Sequence, residues 1–248
     1  MLLVPTRRRL AKLKNFCQSA VKAETTCPAM ILVDAKDYKD NERLYTDLEM
    51  FDFPNKYWKI FITTAEKMGP KIREVHEVWR TQDWVAVLND DHHIVTKEWD
   101  KRLSSQLDGK NFVTCNDRWN APKRAAGATM FSMPLMEAFG FPMFPLQIDH
   151  LGIDDVFENI GRATGCWEVD MSVIIEHHHA FKNPDTIDET HKLVYGTRPW
   201  AEAPEAKATE IAFRKWVAED FQGVVQRVKA LRGEDVLAEI PKRDVRTL

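Results

Sequence analysis

The stretch VAVLNDDHHIVTKEWD, residues 85–100, decides the fold. Its first four residues are apolar, and they run directly into an asparagine, two aspartates and two histidines before an apolar and aromatic pattern resumes. A short apolar run without polar alternation predicts a strand buried on both faces. The polar residues after it predict a ligand site, because ligands of open α/β sheets lie beyond the carboxyl ends of the strands.

Three apolar runs of the same kind come earlier in the chain. They are MLLVPT (1–6), AMILVDAKD (29–37) and YWKIFITT (57–64). Apolar residues recur at helical spacing after the first run, and residues 70–82 predict a further helix with Pro70 at its first position. This alternation of buried strands with helices predicts an α/β fold built on a mixed, mainly parallel sheet.

The second half of the chain continues the pattern. Its strand candidates are NFVTCNDRW (111–119), GATMFSM (127–133) and WEVDMSVIIEHHH (167–179). Two helices are predicted to end at Gly140 and Gly165, and one long helix is predicted over residues 204–231. The apolar stripe of the long helix predicts packing inside the protein's own core rather than a contact with a partner.

Composition excludes several classes of protein. The 248 residues are 44% hydrophobic, which is enough to build a core, and the net charge of −3 argues against a protein that coats nucleic acid by charge alone. The four cysteines form no CxxC pair, so we expect reduced, buried thiols. Neither a secretory signal nor an apolar run of about 20 residues is present, which predicts a cytoplasmic protein.

Acidic residues collect where the predicted strands end, at Asp34, Asp90 and Asp91. Paired carboxylates hold a hard divalent cation and leave positions open for phosphate oxygens. Because neighbouring residues of a strand face opposite ways, one acid of the pair can bind the metal while the other contacts a nucleotide's sugar. The alternative is a solvated turn. No GxGxxG or GxxxxGK[ST] motif is present, which disfavours a dinucleotide fold and a P-loop.

Three histidines end the last predicted strand, in the run EHHH at 176–179. On a strand, His177 and His179 point the same way. Imidazole is a reasonable ligand of Mn²⁺ beside carboxylates, so the pattern favours a metal site that joins Asp91 to one of these two histidines. The alternative is a surface loop with accidental histidines.

Two further acids, Asp154 and Asp155, start a predicted helix. Capping and interaction with the helix dipole account for many such acids. A carboxylate in this position can also be a general base that deprotonates an acceptor hydroxyl. The residues alone do not choose between these roles.

Five ordered motifs together resemble a known family. They are VPTRRR at the first strand, Asp34 at the second, NDDHH, GIDDVFENIG and VIIEHHHAFKNPDTIDETH. In this order they resemble glycosyltransferases of the GT-A fold, and specifically the small family-two-like enzymes of bacteriophages. The resemblance covers residues 1–195 and implies one GT-A domain, with residues 196–248 as a C-terminal helical extension packed on it. Asn89 stands where the family often has glycine.

The resemblance implies a nucleotide-sugar donor, expected to be a UDP-sugar, and Mn²⁺ or Mg²⁺ as the cofactor. The residues it assigns to the donor are Thr6, Arg7 and Asp34 for the nucleotide and Asp90 for the ribose. It assigns the metal and diphosphate to Asp91 with His177 or His179. It implies that Asp155 is the catalytic base, with Asp154 as its neighbour.

The acceptor is the most open part of this interpretation. Similar phage enzymes glycosylate hydroxymethylated bases in DNA, and the segment 116–127, NDRWNAPKRAAG, places a tryptophan among cations that could face a nucleic acid. A surface glycan, a small molecule and an ordinary exposed loop are the alternatives. Two other functions use the same residues: a metal-dependent phosphoesterase or nuclease, and a nucleotide-sugar-binding module without catalysis.

Overall fold

The computed structural model describes residues 1–125, 128–149, 151–179 and 204–234. Within these ranges the chain forms eight strands and nine helices. The strands are β1 (Leu2–Thr6), β2 (Ala29–Asp34), β3 (Trp58–Thr63), β4 (Trp84–Val87), β5 (His92–Ile94), β6 (Phe112–Asn116), β7 (Thr129–Ser132) and β8 (Trp167–His177). The helices are α1 (Leu10–Lys22), α2 (Ala35–Phe51), α3 (Met68–Glu74), α4 (His76–Trp79), α5 (Trp99–Ser104), α6 (Met133–Phe139), α7 (Ile153–Thr164), α8 (Pro204–Glu219) and α9 (Phe221–Arg232).

The strands form one sheet in the order β3-β2-β1-β4-β7-β6-β8-β5. Strands β1 to β4 are parallel to one another, and β6 is parallel to β8. Strand β7 is antiparallel to both of its neighbours, and β5 is antiparallel to β8. The predicted α/β fold with a mixed, mainly parallel sheet is therefore confirmed.

Both faces of the sheet are covered, as the continuous apolar strands predicted. Successive strand residues alternate between two clusters: Leu3 and Leu32 pack with α3, α4 and α6 to α9, whereas Leu2 and Ile31 pack with α1, α2 and α5. The side chains of β1 and β2 are buried throughout. No helix in the described part of the chain is long and apolar enough to cross a membrane.

The helix predicted over residues 70–82 begins earlier and is interrupted. Helix α3 starts at Met68, and Val75 (φ −103°, ψ 15°) separates it from α4, which ends at Trp79. Gly69 explains the early start, because its N–H donates to the carbonyl of Asp149 (2.7 Å), and a Cβ there would lie 2.9 Å from that oxygen. Pro70 is the third helical residue, where no intrahelical partner needs its missing N–H.

The long helix predicted over residues 204–231 is two helices. Helix α8 ends at Glu219 and α9 begins at Phe221, and the side chain of Asp220 between them accepts a hydrogen bond from Gln147 (2.7 Å). The apolar stripe lies in the core cluster beside α6 and α7. Arg227 fixes α9 by donating to the carbonyls of Ala138 and Phe139 at the end of α6.

Candidate active site

The carboxyl ends of β1, β2 and β4 meet at one edge of the sheet. Thr6 ends β1 and Asp34 ends β2, and the register pairs Thr6 with Val33 and Leu3 with Val87. Asn89, Asp90 and Asp91 follow β4 on the same edge. The parallel arrangement therefore brings the predicted nucleotide and metal residues together.

Strands β5 and β8 join the two histidine-rich segments. Their antiparallel register places His92 opposite His177, and the N–H of His178 donates to the carbonyl of Asp91 (2.9 Å). The side chains of Asp91 and His177 meet as a result, with 3.4 Å between Oδ1 of Asp91 and Nε2 of His177. Residues far apart in the chain thus form one site.

The chemistry of this pair fits a divalent cation. Asp91 and His177 are 6% and 8% exposed, and within the described residues neither of their facing atoms has a hydrogen-bond partner. Buried polar atoms are normally satisfied, and a carboxylate and an imidazole whose facing atoms lack a hydrogen bond are suitable ligands for a divalent cation. No group of three His, Cys, Asp or Glu side chains in the described ranges can hold a metal alone. Phosphate oxygens and water would complete the coordination.

Burial and mutual attraction set the charges of the site. Burial alone would raise the pKa of Asp91, but His177, His92 and Arg9 outweigh it and lower that pKa. Burial likewise opposes the charged form of His177, and Asp91 reverses this effect and raises its pKa. Asp90 lacks an imidazole partner, so burial raises its pKa to about 6 although Arg9 opposes the shift.

His92 is a buried neutral ring that supports His177. Burial lowers the pKa of His92 to about 3. Its Nδ1 lies 2.9 Å from the backbone nitrogen and 3.2 Å from the carbonyl oxygen of Asn89. The two imidazoles stack with their centroids 4.5 Å apart.

Arg9 is a functional candidate that the sequence analysis missed. Its Nη1 lies 3.3 Å from Oδ1 of Asp90 and 3.6 Å from Oδ2 of Asp91, and Thr6 donates to Oδ2 of Asp90 (2.6 Å). Arg7, the predicted nucleotide contact, pairs with Glu66. The run of three arginines after β1 indicated a positive charge near the strand ends, but only the tertiary structure shows which arginine faces the acids.

Lys71 is a second residue that was missed. It is 1% exposed, donates to the carbonyl of Thr6 (2.5 Å) and lies 3.4 Å from Oδ2 of Asp34. Burial lowers its pKa, and Asp34 opposes that shift. Asp34 also caps α2 by accepting the N–H of Asp37 (2.9 Å). Nothing in the sequence around a lysine of a predicted helix indicates that its side chain is buried against an aspartate at the end of a strand.

Asp154 and Asp155 lie in the first turn of α7. The N-cap residue is Gly152, so neither acid is the cap, although both lie where the helix dipole favours negative charge. Asp155 pairs with Arg124. Asp154 is half-buried, and burial raises its pKa to about 6.

Asp117, also missed, shapes the loop after β6. It is fully buried, and its Oδ1 accepts the N–H groups of Trp119, Asn120 and Ala121 at 2.7 to 3.1 Å. The ring of Trp119 lies 5.6 Å from the ring of His177 and stacks on His179 at 5.4 Å. His179 thus follows the end of β8, and among the predicted pair it is His177 that faces Asp91. An apolar strand followed by Asn and Asp was the available signal for Asp117.

The cations predicted to face a nucleic acid form ion pairs in the structure. Arg118 pairs with Glu176, and Arg124 pairs with Asp155 and Glu158. Lys123 is exposed. The end of this segment, residues 126–127, and the C-terminal part of the last motif, residues 180–191, lie outside the described ranges.

The strand order and the acids and histidines at this sheet edge define a glycosyltransferase fold of the GT-A type. No protein-family model and no curated protein matches the chain. Among solved structures, the chain is similar to the mannosyltransferase PcManGT from Pyrobaculum calidifontis in complex with GDP-Man and Mn²⁺, with a TM-score of 0.52 and 11% identity over 97% of this chain and 76% of that one.

A second similar structure is glucosyl-3-phosphoglycerate synthase from Mycobacterium tuberculosis in complex with Mn²⁺, UDP and glucosyl-3-phosphoglycerate. Its TM-score is 0.50, with 9% identity over 94% of this chain and 80% of that one. Likeness at these identities establishes the fold, and the GT-A fold expected from the sequence motifs is confirmed.

Proposed function

We propose that the protein is a metal-dependent glycosyltransferase that moves a sugar from a nucleotide sugar, expected to be a UDP-sugar, to an acceptor hydroxyl. The observation that carries the proposal is the buried Asp91–His177 pair beside Asp90, at the ligand-binding edge of a GT-A sheet. The two similar structures contain Mn²⁺ with a nucleotide or a nucleotide sugar, which supports the donor class.

In this proposal the donor's nucleotide lies against the ends of β1 and β2. Asp90 accepts hydrogen bonds from the ribose, and Thr6 orients Asp90 through its hydroxyl. Asp34 and Arg7 contact the nucleotide, with Lys71 holding Asp34 at the sheet edge.

Asp91 and His177 would hold Mn²⁺ or Mg²⁺, together with the donor's phosphate oxygens. When bound, such an ion offsets the negative charge that develops on the leaving diphosphate. His177 must be neutral at Nε2 to ligate the ion, and the stacked, neutral His92 keeps the ring in place. His179 would become a further ligand only if its ring left Trp119.

Asp155 is the proposed general base, which takes the proton of the acceptor hydroxyl as that oxygen attacks the anomeric carbon. Arg124 orients its carboxylate, and Asp154 lies next to it in the same helical turn. Gly152 is the N-cap residue, so neither acid caps the helix, and interaction with the helix dipole is the alternative role of the two acids.

The sequence leaves three acceptors open, which are a hydroxymethylated base in phage DNA, a surface glycan and a small molecule. Trp119 is 40% exposed beside the site, and an aromatic face can stack on a flipped base or on a sugar ring. The ion pairs of Arg118 and Arg124 reduce the free positive charge that a DNA duplex would need. A phage origin and a cytoplasmic location remain predictions from the sequence.

The test is a mass-spectrometric screen of the purified protein with a panel of nucleotide sugars. Each donor is incubated with Mn²⁺ or with chelator, and with or without DNA that contains 5-hydroxymethylated pyrimidines. We expect metal-dependent release of the nucleoside diphosphate that is abolished by Asp91→Asn and unaffected by Asp47→Asn, since Asp47 is exposed on α2. Transfer of the sugar to the modified DNA would identify the acceptor. Release of the nucleoside diphosphate that does not depend on DNA would direct the search to glycans. Cleavage of phosphate esters without any donor would instead establish the hydrolase alternative.

A further inference from the structure

Arg9 lies where the two acids of the site meet. Its Nη1 is 3.3 Å from Oδ1 of Asp90 and 3.6 Å from Oδ2 of Asp91, and its side chain is 13% exposed. We propose that Arg9 binds the diphosphate of the donor, and that its guanidinium leaves the two acids for the phosphates as the metal enters. The inference rests on the proposed glycosyltransferase function and adds to it a residue and a coupling between metal binding and diphosphate binding.

The oxygens of the acids are divided between distinct partners. Oδ1 of Asp91 faces His177 at 3.4 Å, and Oδ2 faces Arg9. Oδ2 of Asp90 accepts the hydroxyl of Thr6 at 2.6 Å, and Oδ1 faces Arg9. Without a donor, the guanidinium therefore offsets the charge of one oxygen from each carboxylate, and the metal-facing oxygen of Asp91 stays in place.

This arrangement opposes metal binding in the absence of phosphate. Asp91 and His177 supply two facing ligand atoms, the described residues contain no group of three metal-ligand side chains, and the positive charge of Arg9 beside Asp91 repels a divalent cation. A diphosphate removes both obstacles, because its oxygens complete the coordination and its charge attracts the guanidinium. Metal and diphosphate should therefore strengthen each other's binding by the same factor.

The local backbone assigns this role to one arginine of the three. Arg7 pairs with Glu66, and the backbone N–H of Arg8, which has a φ of 54°, donates to Asp37 (2.6 Å). Arg9 is the N-cap residue of α1, so its backbone is anchored and the exchange of partners needs only side-chain motion. Its planar fork of N–H donors suits two phosphate oxygens better than an ammonium group does.

The experiment compares Mn²⁺ binding with and without inorganic pyrophosphate, by calorimetry on the full chain. For Arg9→Gln we expect Mn²⁺ alone to bind about tenfold more tightly, because a repelling charge is gone. Pyrophosphate in saturating Mn²⁺ should bind roughly 10- to 100-fold more weakly, because a charge-assisted contact is lost. Arg9→Lys keeps the charge, so it should bind Mn²⁺ like the wild type and still bind pyrophosphate about tenfold more weakly.

Arg80→Gln is the matched control. Arg80 is the exposed C-cap residue of α4, and it pairs with Glu77 of the same helix. Opposite changes in the two affinities of Arg9→Gln would support the inference. Equal weakening of both would overturn it, because Arg9 would then only hold the acids in place. If the wild type binds neither Mn²⁺ nor Mn²⁺ with pyrophosphate, the proposed function itself fails, and this result differs from a failure confined to the Arg9 variants.

Discussion

At the scale of single residues, the site is a set of buried polar groups that satisfy one another only in part. Lys71 neutralises Asp34 and holds the end of β1, whereas Asp91 and His177 face each other without a hydrogen bond. Groups with complete hydrogen bonding rigidify a site, whereas Asp91 and His177, held to each other only by an ion pair at 3.4 Å, are the proposed ligands of a metal ion. The two kinds of group predict different responses to substitution.

Replacing Lys71 with methionine should lower the free energy of unfolding by about 3–5 kcal/mol, because the buried Asp34 loses its cation and the carbonyl of Thr6 loses its donor. Lys59→Met is the control, since Lys59 is exposed on β3 and pairs loosely with Glu49 (3.7 Å). Its effect should stay within about 1 kcal/mol. Urea unfolding followed by circular dichroism measures both, and equal losses for the two variants would contradict the prediction.

The buried ring of His92 should make stability depend on pH. Its pKa is lowered from the ordinary value of 6.5 to about 3 in the folded protein, so only the unfolded chain takes up a proton between these values. The wild type should lose stability relative to His92→Phe by about 1 kcal/mol per pH unit as the pH falls from about 6 to about 4. Chemical denaturation of both proteins at several pH values tests this, and parallel stability curves would show that the ring is not buried in its neutral form.

At the scale of elements, short connections between strands and helices position the site. The pairing of β5 with β8 brings Asp91 to His177, and the N–H of Gly69 in the first turn of α3 donates to the carbonyl of Asp149, which holds the segment before α7 against that helix. Gly69 is needed because the carbonyl of Asp149 approaches its Cα too closely for a side chain. Gly223 in α9 has no such constraint, because a Cβ there would meet only the end of the Arg227 side chain at 3.4 Å.

Two glycine-to-alanine substitutions should therefore have opposite effects. Gly69→Ala places a Cβ 2.9 Å from a backbone oxygen and should destabilise the protein by about 1–3 kcal/mol. Gly223→Ala in α9 meets only the flexible end of Arg227 at 3.4 Å and should stabilise it by about 0.5–1 kcal/mol. Thermal unfolding of the two variants beside the wild type gives the comparison. A rise in the melting temperature of Gly69→Ala would refute the close approach.

At the scale of the whole molecule, helices α8 and α9 belong to the same hydrophobic core as the sheet. Phe213, Trp216, Phe221, Val224 and Val228 are buried in one cluster with residues of β1, β2 and β4. Arg227 adds hydrogen bonds to the end of α6. These helices should therefore unfold together with the sheet rather than as a separate unit.

Trp216→Ala should lower the free energy of unfolding by about 3–5 kcal/mol, because the side chain is fully buried in the shared core. Ile211→Ala on the same helix should have little effect, since Ile211 is 70% exposed. Unfolding followed by far-ultraviolet circular dichroism and by tryptophan fluorescence should give one coincident transition in every case. Two separated transitions would show that α8 and α9 form an independent unit.

The amino-acid sequence by itself determined the class of fold and the position of the ligand edge. Continuous apolar runs such as residues 29–33 are typical of strands buried on both faces, and Asp34, Asp90 and Asp91 follow such runs. These features are local in the chain, so periodicity and composition reveal them. The helix boundaries could not be read from the sequence, because the early start of α3 at Met68 and the break at Asp220 depend on contacts of Gly69 with Asp149 and of Asp220 with Gln147.

Only the tertiary structure decided which polar residues act together. His177 rather than His179 faces Asp91 because β8 ends at His177 and pairs with β5 in one register. Arg9, rather than Arg7, reaches the acids because the chain turns at Arg8 before α1 begins. Burial then sets the charge states of Asp90, His92 and Lys71. Register, side-chain direction and burial all arise from contacts between residues far apart in the chain, and no local pattern of residues encodes them.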